Sequence, residues 1–171
     1  MRSAATDELR DLYDQYAAKI LTLARYVLGS PSAAEDAVQS VFLKAYQHRE
    51  GFRGQADART WLWRIAVNHC QDELRRRKRV EEVPLDEVLG WANDDQSPEL
   101  RHRVKQIDEI VARAILQLSP KLRTVVVLRY VEELSYQEIA AVLRCSVGTV
   151  SSRLARALSA LEAILRPIVR S

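Results

Sequence analysis

The chain has 171 residues, 47% of them apolar and 29% charged, with a net charge of +3. That apolar content suffices for a core and excludes wholesale disorder, while 5 Gly and 5 Pro are too few turn signals for an all-β sandwich. No apolar run approaches the ~20 residues of a membrane span, and the stretch from Met1 to Asp7 lacks the apolar segment of a signal peptide, so the expectation is a cytoplasmic protein with no membrane insertion.

In chain order, Leu9, Leu12, Tyr13, Tyr16, Ile20, Leu23 and Val27 recur at steps of three and four, which predicts a helix with one apolar stripe. Gly29 ends it and Pro31 prevents its continuation. Ser32 and Glu35 then carry a capping-box pattern. The helix they open runs to about Gln47, with Ala34, Ala37, Val38, Val41, Phe42 and Ala45 inward. Its other face carries Asp36, Gln39, Leu43 and Lys44. An apolar Leu43 beside Asp36 and Gln39 fits a face that docks another protein.

A polar loop from Glu50 to Asp57 holds Phe52 and two glycines. A third helix follows from Ala58 to about Lys78, with Asp57 as its N-cap. Its expected inward stripe is Trp61, Leu62, Ile65, Ala66, His69 and Leu74. Trp63, one step off, is expected to face partly outward beside Arg59, Arg64 and Asn68. The run Arg75, Arg76, Arg77, Lys78, Arg79 exceeds what a helix dipole needs and points to a phosphate-bearing partner. Outward aromatics beside cations favour a single strand, whose bases stack on exposed rings.

Charge divides the chain into blocks. Residues 1–80 carry 14 Lys/Arg against 10 Asp/Glu, residues 81–106 carry 3 against 7, and residues 107–171 carry 9 against 6. The acidic stretch also holds Pro84, Gly90 and Pro98 and has poor periodicity. It reads as a linker over 81–106 between two small all-α domains, 1–80 and 107–171.

The last block reads as a helix-turn-helix. Val104, Ile107, Val111, Ala114, Ile115 and Leu118 form one stripe. Ser119-Pro120 opens a second helix carrying Leu122, Val125, Val126, Leu128 and Tyr130. Ser135 and Glu138 form another capping box, over a short helix with Ile139, Ala140, Val142 and Leu143 inward. Ser146 caps the final helix, whose stripe is Val150, Leu154, Ala157, Leu158, Leu161 and Leu165. Opposite lie Thr149, Ser151, Ser152, Arg153 and Arg156, following Gly148. A short helix, a tight turn and a longer helix let the last one enter a major groove. Gly148 and the hydroxyls allow close approach to phosphate, and the arginines reach guanine edges or phosphates.

Cys70 and Cys145 sit singly in apolar-periodic runs, and His48, His69 and His102 are scattered. No metal, cofactor or small-molecule substrate is expected, and no catalytic residues. Asp72 and Glu73 are adjacent and cannot converge on one ion from a helix face.

Taken together, the segment from Ala34 to Tyr46, then Phe52-Arg53-Gly54, then Thr60-Trp61-Leu62-Trp63-Arg64-Ile65-Ala66-Val67-Asn68, the Arg run, Leu134 to Ala140, and Val147 to Leu154 resemble bacterial sigma factors. The resemblance is to the extracytoplasmic-function (ECF, group 4) subgroup of the sigma-70 family, which has only regions 2 and 4. It spans residues from about 9 to 166. It implies that Asp36, Gln39, Phe42 and Leu43 dock on core RNA polymerase. It implies that Phe52, Arg53, Trp63, Arg64 and Asn68 grip the melted −10 element, with Arg75, Arg76 and Arg77 on backbone phosphate. It further implies that Gly148, Thr149, Ser151, Ser152, Arg153 and Arg156 read the −35 element of promoter DNA, and that an anti-sigma factor regulates the chain. Ser151 departs from the pattern, since many relatives carry a basic residue there. The rival reading is a helix-turn-helix regulator acting without polymerase, which leaves the segment from Phe52 to Asn68 unexplained.

Overall fold

The structure, a computed structural model, describes residues 2–49, 57–79 and 98–169. All regular structure among them is helical. Phe52, Arg53 and residues 81–97 of the acidic stretch lie outside the described residues.

Helix α1 spans Arg2–Leu28, starting well before its apolar stripe. Gly29 closes it at φ +67°, with its N–H on the Arg25 carbonyl at 2.9 Å. A Cβ at Gly29 would also lie 2.9 Å from a Leu116 methyl, so the missing side chain serves both the turn and a close approach. Helix α2 spans Pro31–Gln47. Its cap is Ser30, not Ser32: the Ser30 hydroxyl accepts from the Ala33 N–H at 3.3 Å. Pro31 is suited to the first helical position, so the helix starts two residues earlier than the Ser32–Glu35 pattern implied. The predicted inward residues Ala34, Ala37, Val38, Val41, Phe42 and Ala45 are all buried.

Helix α3 spans Ala58–Arg79, and Asp57 caps it, its carboxylate accepting from the Arg59 N–H at 3.2 Å. Its buried stripe is Leu62, Trp63, Ala66, Val67 and Cys70, one position on from the expected one. Trp63 is 2% exposed, which overturns its outward placement. The cause is tertiary. Helix α3 packs against α1 and α2 and also against a helix of the second half, so its covered arc is wider than one stripe.

Helix α4 spans Pro98–Leu116 and thus begins within the stretch read as linker. Ala112, Ala114, Ile115 and Leu116 are buried, but Ile107 and Val111 are exposed, against expectation. Helix α5, Pro120–Val126, has its proline at the first position, yet the Ser119 hydroxyl makes no capping bond. It runs directly into a π-helical turn, Val127–Val131, that periodicity did not reveal. The wide turn sets Val125, Val126, Val127 and Leu128 all into the core and leaves Tyr130 exposed. Helix α6, Tyr136–Leu143, opens with the full Ser135–Glu138 capping box. Arg144 closes it in the left-handed region at φ +52°, and α7 follows over Val147–Val169. Val150, Leu154 and Ala157 are buried as expected, whereas Leu158 is exposed.

The helices of 2–79 and those of 98–169 share one contiguous apolar cluster. Helix α1 packs on α4, α5 and the π turn, and α3 packs on α6. The two halves are therefore docked on each other.

Candidate nucleic-acid interface

The α7 face is built by its cap. The Ser146 hydroxyl accepts from the Thr149 N–H at 3.1 Å and pairs with the Thr149 hydroxyl at 2.9 Å. Ser152 donates to the Thr149 carbonyl at 3.1 Å. Burial of Val150, Leu154 and Ala157 turns Ser151, Ser152 and Arg156 to solvent, with Arg153 half-buried at the edge. Among the described residues neither Arg153 nor Arg156 has an ion-pair partner, so both guanidiniums remain available to an external acceptor. Gly148 is exposed, and a Cβ there would meet nothing nearer than the Ser146 hydroxyl at 3.8 Å. Packing within the chain does not require this glycine, and the space beside it is open.

The α3 face is different. Arg59 forms an ion pair with Glu138 at 3.0 Å, across to α6. Arg64 donates to the Ala141 carbonyl near the end of α6 at 2.7 Å. Burial and the nearby Arg144 lower the Arg64 pKa. The Trp63 ring lies edge-on to Tyr16, with centroids 6.3 Å apart, and its buried indole N–H has no partner. Asn68 is exposed. In the arginine run, Arg75 pairs with Asp72 at 3.0 Å, while Arg76 and Arg77 share Glu73 at 2.7 and 3.1 Å. Hydrogen bonding from Arg76 is the main cause that holds the Glu73 carboxyl below its usual range. Arg77 also donates to the Leu28 carbonyl at 3.2 Å. Arg75 and Arg76 stay exposed enough to exchange these partners for phosphate.

On α2, Asp36, Gln39 and Leu43 share one exposed stripe, Leu43 being 57% exposed. Tyr46 extends that stripe, with Arg49 stacked 4.0 Å over its ring. Phe42 instead points inward and meets Tyr13 edge-on at 4.7 Å. His69 lies behind this helix, 3.1 Å from the Lys44 ammonium. Burial, aided by Lys44, lowers its pKa, so it is a neutral acceptor. The Cys70 thiol is pushed up to about 12 by burial, which makes it inert. No cluster of His, Cys, Asp or Glu among the described residues could hold a metal ion.

Sequence reading missed Arg123. This half-buried guanidinium donates to the carbonyls of Val27 at 2.6 Å, Leu116 at 2.7 Å and Leu118 at 2.9 Å. It thereby ties the end of α1 to the end of α4. The one available signal was a lone cation inside the apolar run Leu122 to Leu128. Glu132 was also missed. It is buried next to the π turn, and desolvation raises its pKa to about 7 against a small opposing pull from Lys19.

Comparison with known proteins gives matches along most of the chain. Residues 12–80 match the model of sigma-70 region 2, and residues 108–161 that of sigma-70 region 4. The chain is 37% identical over 164 residues to the RNA polymerase sigma-H factor of Pseudomonas aeruginosa, covering 91% of this chain and 85% of that one. It is 37% identical over 166 residues to the ECF RNA polymerase sigma-E factor of Escherichia coli, with the same coverage of 91% and 85%. Among solved structures it resembles CnrH in complex with the cytosolic domain of CnrY, at a TM-score of 0.70 and 26% identity, over 95% of this chain and 90% of that one. It shares the fold of the sigma factor RpoE from Bartonella quintana, solved with the anti-sigma factor NepR, at a TM-score of 0.75 and 22% identity, over 93% and 97% of the chains.

Proposed function

The chain belongs to the extracytoplasmic-function sigma factors of the sigma-70 family, and on that premise we propose how its surfaces divide the work of initiation. It is a transcription initiation factor that performs no bond chemistry; it selects promoters for RNA polymerase. The α2 stripe of Asp36, Gln39 and Leu43 docks on core polymerase, with Tyr46 at its edge and Phe42 as the buried support beneath it. The first turns of α7, from Gly148 to Arg156, enter the major groove at the −35 element. Hydroxyls and free N–H groups take phosphate there, and the arginines take base edges. Residues 50–56, with Phe52 and Arg53, act with Arg64, Asn68 and the run Arg75, Arg76 and Arg77 on the opened −10 strand. A strand held open costs a few kcal/mol per flipped base, recovered through base and phosphate contacts.

The observation that carries this reading is the α7 face, which is exposed, capped and supplied with unpaired guanidiniums on a helix-turn-helix scaffold. The domain boundaries follow as 1–80 and 107–171, although α4 starts at Pro98. Its site of action on this reading is the cytoplasm, where RNA polymerase works; among the described residues no helix is long and apolar enough to cross a membrane. CnrH is solved in complex with the cytosolic domain of CnrY, and a protein regulator of that kind, an anti-sigma factor, is the partner this reading gives the chain. Run-off transcription over a promoter library with core polymerase tests the whole. Specific transcripts sharing −35 and −10 sequences are expected only when the chain is added. Tight operator binding without polymerase, and no added transcripts with it, would overturn the reading.

A further inference from the structure

We propose that the cleft between the start of α2 and the end of α3 binds a small zwitterion of the amino-acid class, its ammonium on Asp36 and its acid group on Arg76 and Arg77, and that such a ligand keeps core polymerase off α2. The second half of this statement rests on the assignment of Asp36 to the polymerase face; the first half does not.

The cleft follows from how the two helices meet. Arg77 donates to the Leu28 carbonyl just ahead of α2, and Lys44, in the last turn of α2, donates to His69 midway along α3. The helices therefore run antiparallel, with the first turns of α2 beside the last turns of α3. Ser32, Asp36 and Ser40 recur at steps of four and form one polar stripe on α2. With His69, Glu73 and Arg76 of α3 they line a cavity of about 420 Å³, a volume in the range of small-molecule sites. Ala33 and Ala37 also line it, and their small side chains leave the space open.

The lining selects the ligand. Glu73 is already taken: Arg76 binds it through Nε and Nη2, and Arg77 through Nε. Arg76 keeps Nη1, and Arg77, whose Nη1 is on the Leu28 carbonyl, keeps Nη2. Neighbouring guanidiniums with donors to spare suit a carboxylate. His69 adds a donor: the Lys44 ammonium can only donate, so Nδ1 accepts and Nε2 carries the proton. Asp36 has no ion-pair partner among the described residues. Its carboxylate, with the Ser32 and Ser40 hydroxyls a turn away on either side, suits an ammonium. Among the described residues no phenyl, phenol, indole or branched aliphatic side chain lines the cavity, so an acyl chain or a nucleoside gains little there. A molecule with one charge leaves one end of the cleft unpaired, whereas a zwitterion satisfies both. Asp36 also belongs to the exposed stripe with Gln39 and Leu43. A ligand that holds its carboxylate takes it from a docking partner, and the partner weakens the ligand by the same factor.

The test titrates the full-length chain with the standard L-amino acids, each beside its N-acetyl and its carboxamide form, and follows backbone amides by NMR. At least one free amino acid is expected to shift the amides of Ser32, Asp36, Ser40 and His69. Its two blocked forms, and the variants Asp36→Asn and Arg76→Gln with the free form, are each expected to bind about tenfold more weakly. Ser40→Gln fills the cleft and should abolish the shifts. Ala33→Leu does the same from the first turn of α2, and circular dichroism melts show that each variant is folded. No shift with any probe, or blocked forms that bind as well as the free one, would overturn the site. With the probe at saturation, capture of the chain by core polymerase is expected to fall about fivefold in the wild type and to be unaffected by the probe in Ser40→Gln. Unchanged capture in the wild type would overturn the competition. A chain that polymerase does not capture even without the probe would overturn the reading of the polymerase face, while the amide shifts still decide the cleft.

Discussion

Helices α3 and α7 carry the two faces proposed to meet nucleic acid, and they differ in what already covers them. On α7, three consecutive turns bury Val150, Leu154 and Ala157, while Ser151, Ser152 and Arg156 are open to solvent. On α3, the face expected to be open holds a tryptophan that is 2% exposed and an arginine bonded to the other half. Both helices carry an apolar stripe beside cations. The lesson is that a stripe marks where a helix must be covered, while the remainder of its surface stays free only if no other part of the chain competes for it. The covered face is the one proposed for opened DNA, and the open face is the one proposed for closed duplex.

The strongest way to break this comparison is Trp63→Ala. If the ring is core, the substitution costs about 3–5 kcal/mol and unfolds much of the first half. Urea unfolding followed by circular dichroism measures it. A loss below about 0.5 kcal/mol would return Trp63 to the surface and to a direct stacking role. Arg123→Gln comes next. It strips charge-assisted bonds from three carbonyls and is expected to cost about 2–3 kcal/mol. Its signature is loss of cooperativity, one transition becoming two as the halves unlink. A single undivided transition would show that Arg123 does not couple them.

Glu132 sharpens the comparison through pH. Its folded pKa, about 7, lies above the ordinary carboxylate value of 4.5 because burial disfavours the charge. The folded state therefore holds the proton more tightly than the unfolded one. Stability falls as pH rises from about 4.5 to about 7 and is level above that. Glu132→Gln should remove this slope and gain about 1–3 kcal/mol over wild type at pH 8. An unchanged slope in thermal melts across that range would place the carboxylate in water. The charged groups to be controlled there are Lys19 on α1 and the neighbouring Glu133.

Local chemistry made half of the molecule legible. The Ser135–Glu138 box, the Ser146 cap, the Asp57 cap and the Gly29 stop depend on residues within one turn, and each is where the pattern put it. Leu43 was legible because a lone apolar residue on a polar stripe needs no tertiary knowledge. Two caps failed locally, Ser30 replacing Ser32 ahead of Pro31 and Ser119 making no capping bond; the other failures depended on distant partners. Trp63 is buried because α3 is covered on more than one side. Leu158, Ile107 and Val111 are exposed because nothing among the described residues closes over that part of α4 and α7. The π turn follows no sequence period, and Arg123 acts on carbonyls up to 96 positions away.

Arg153→Ala carries the smallest effect on the fold and isolates the open face. Arg153 is half-buried at the stripe's edge and has no charged partner, so stability should change by no more than about 0.5 kcal/mol. Loss of a guanidinium from a base edge or phosphate is expected to weaken duplex −35 binding by about 1–3 kcal/mol. The holoenzyme should keep its grip on opened −10 strands, since α3 is untouched. Arg156→Ala, at an exposed position, should do the same with even less disturbance of packing. Competition assays with holoenzyme on promoters with and without a −35 element separate the possibilities. A substitution that weakens both promoters equally would mean that Arg153 supplies only sequence-blind attraction. One that weakens only the promoter with the element would assign it to reading bases, and the difference between the two arginines would then show which of them carries more of that reading.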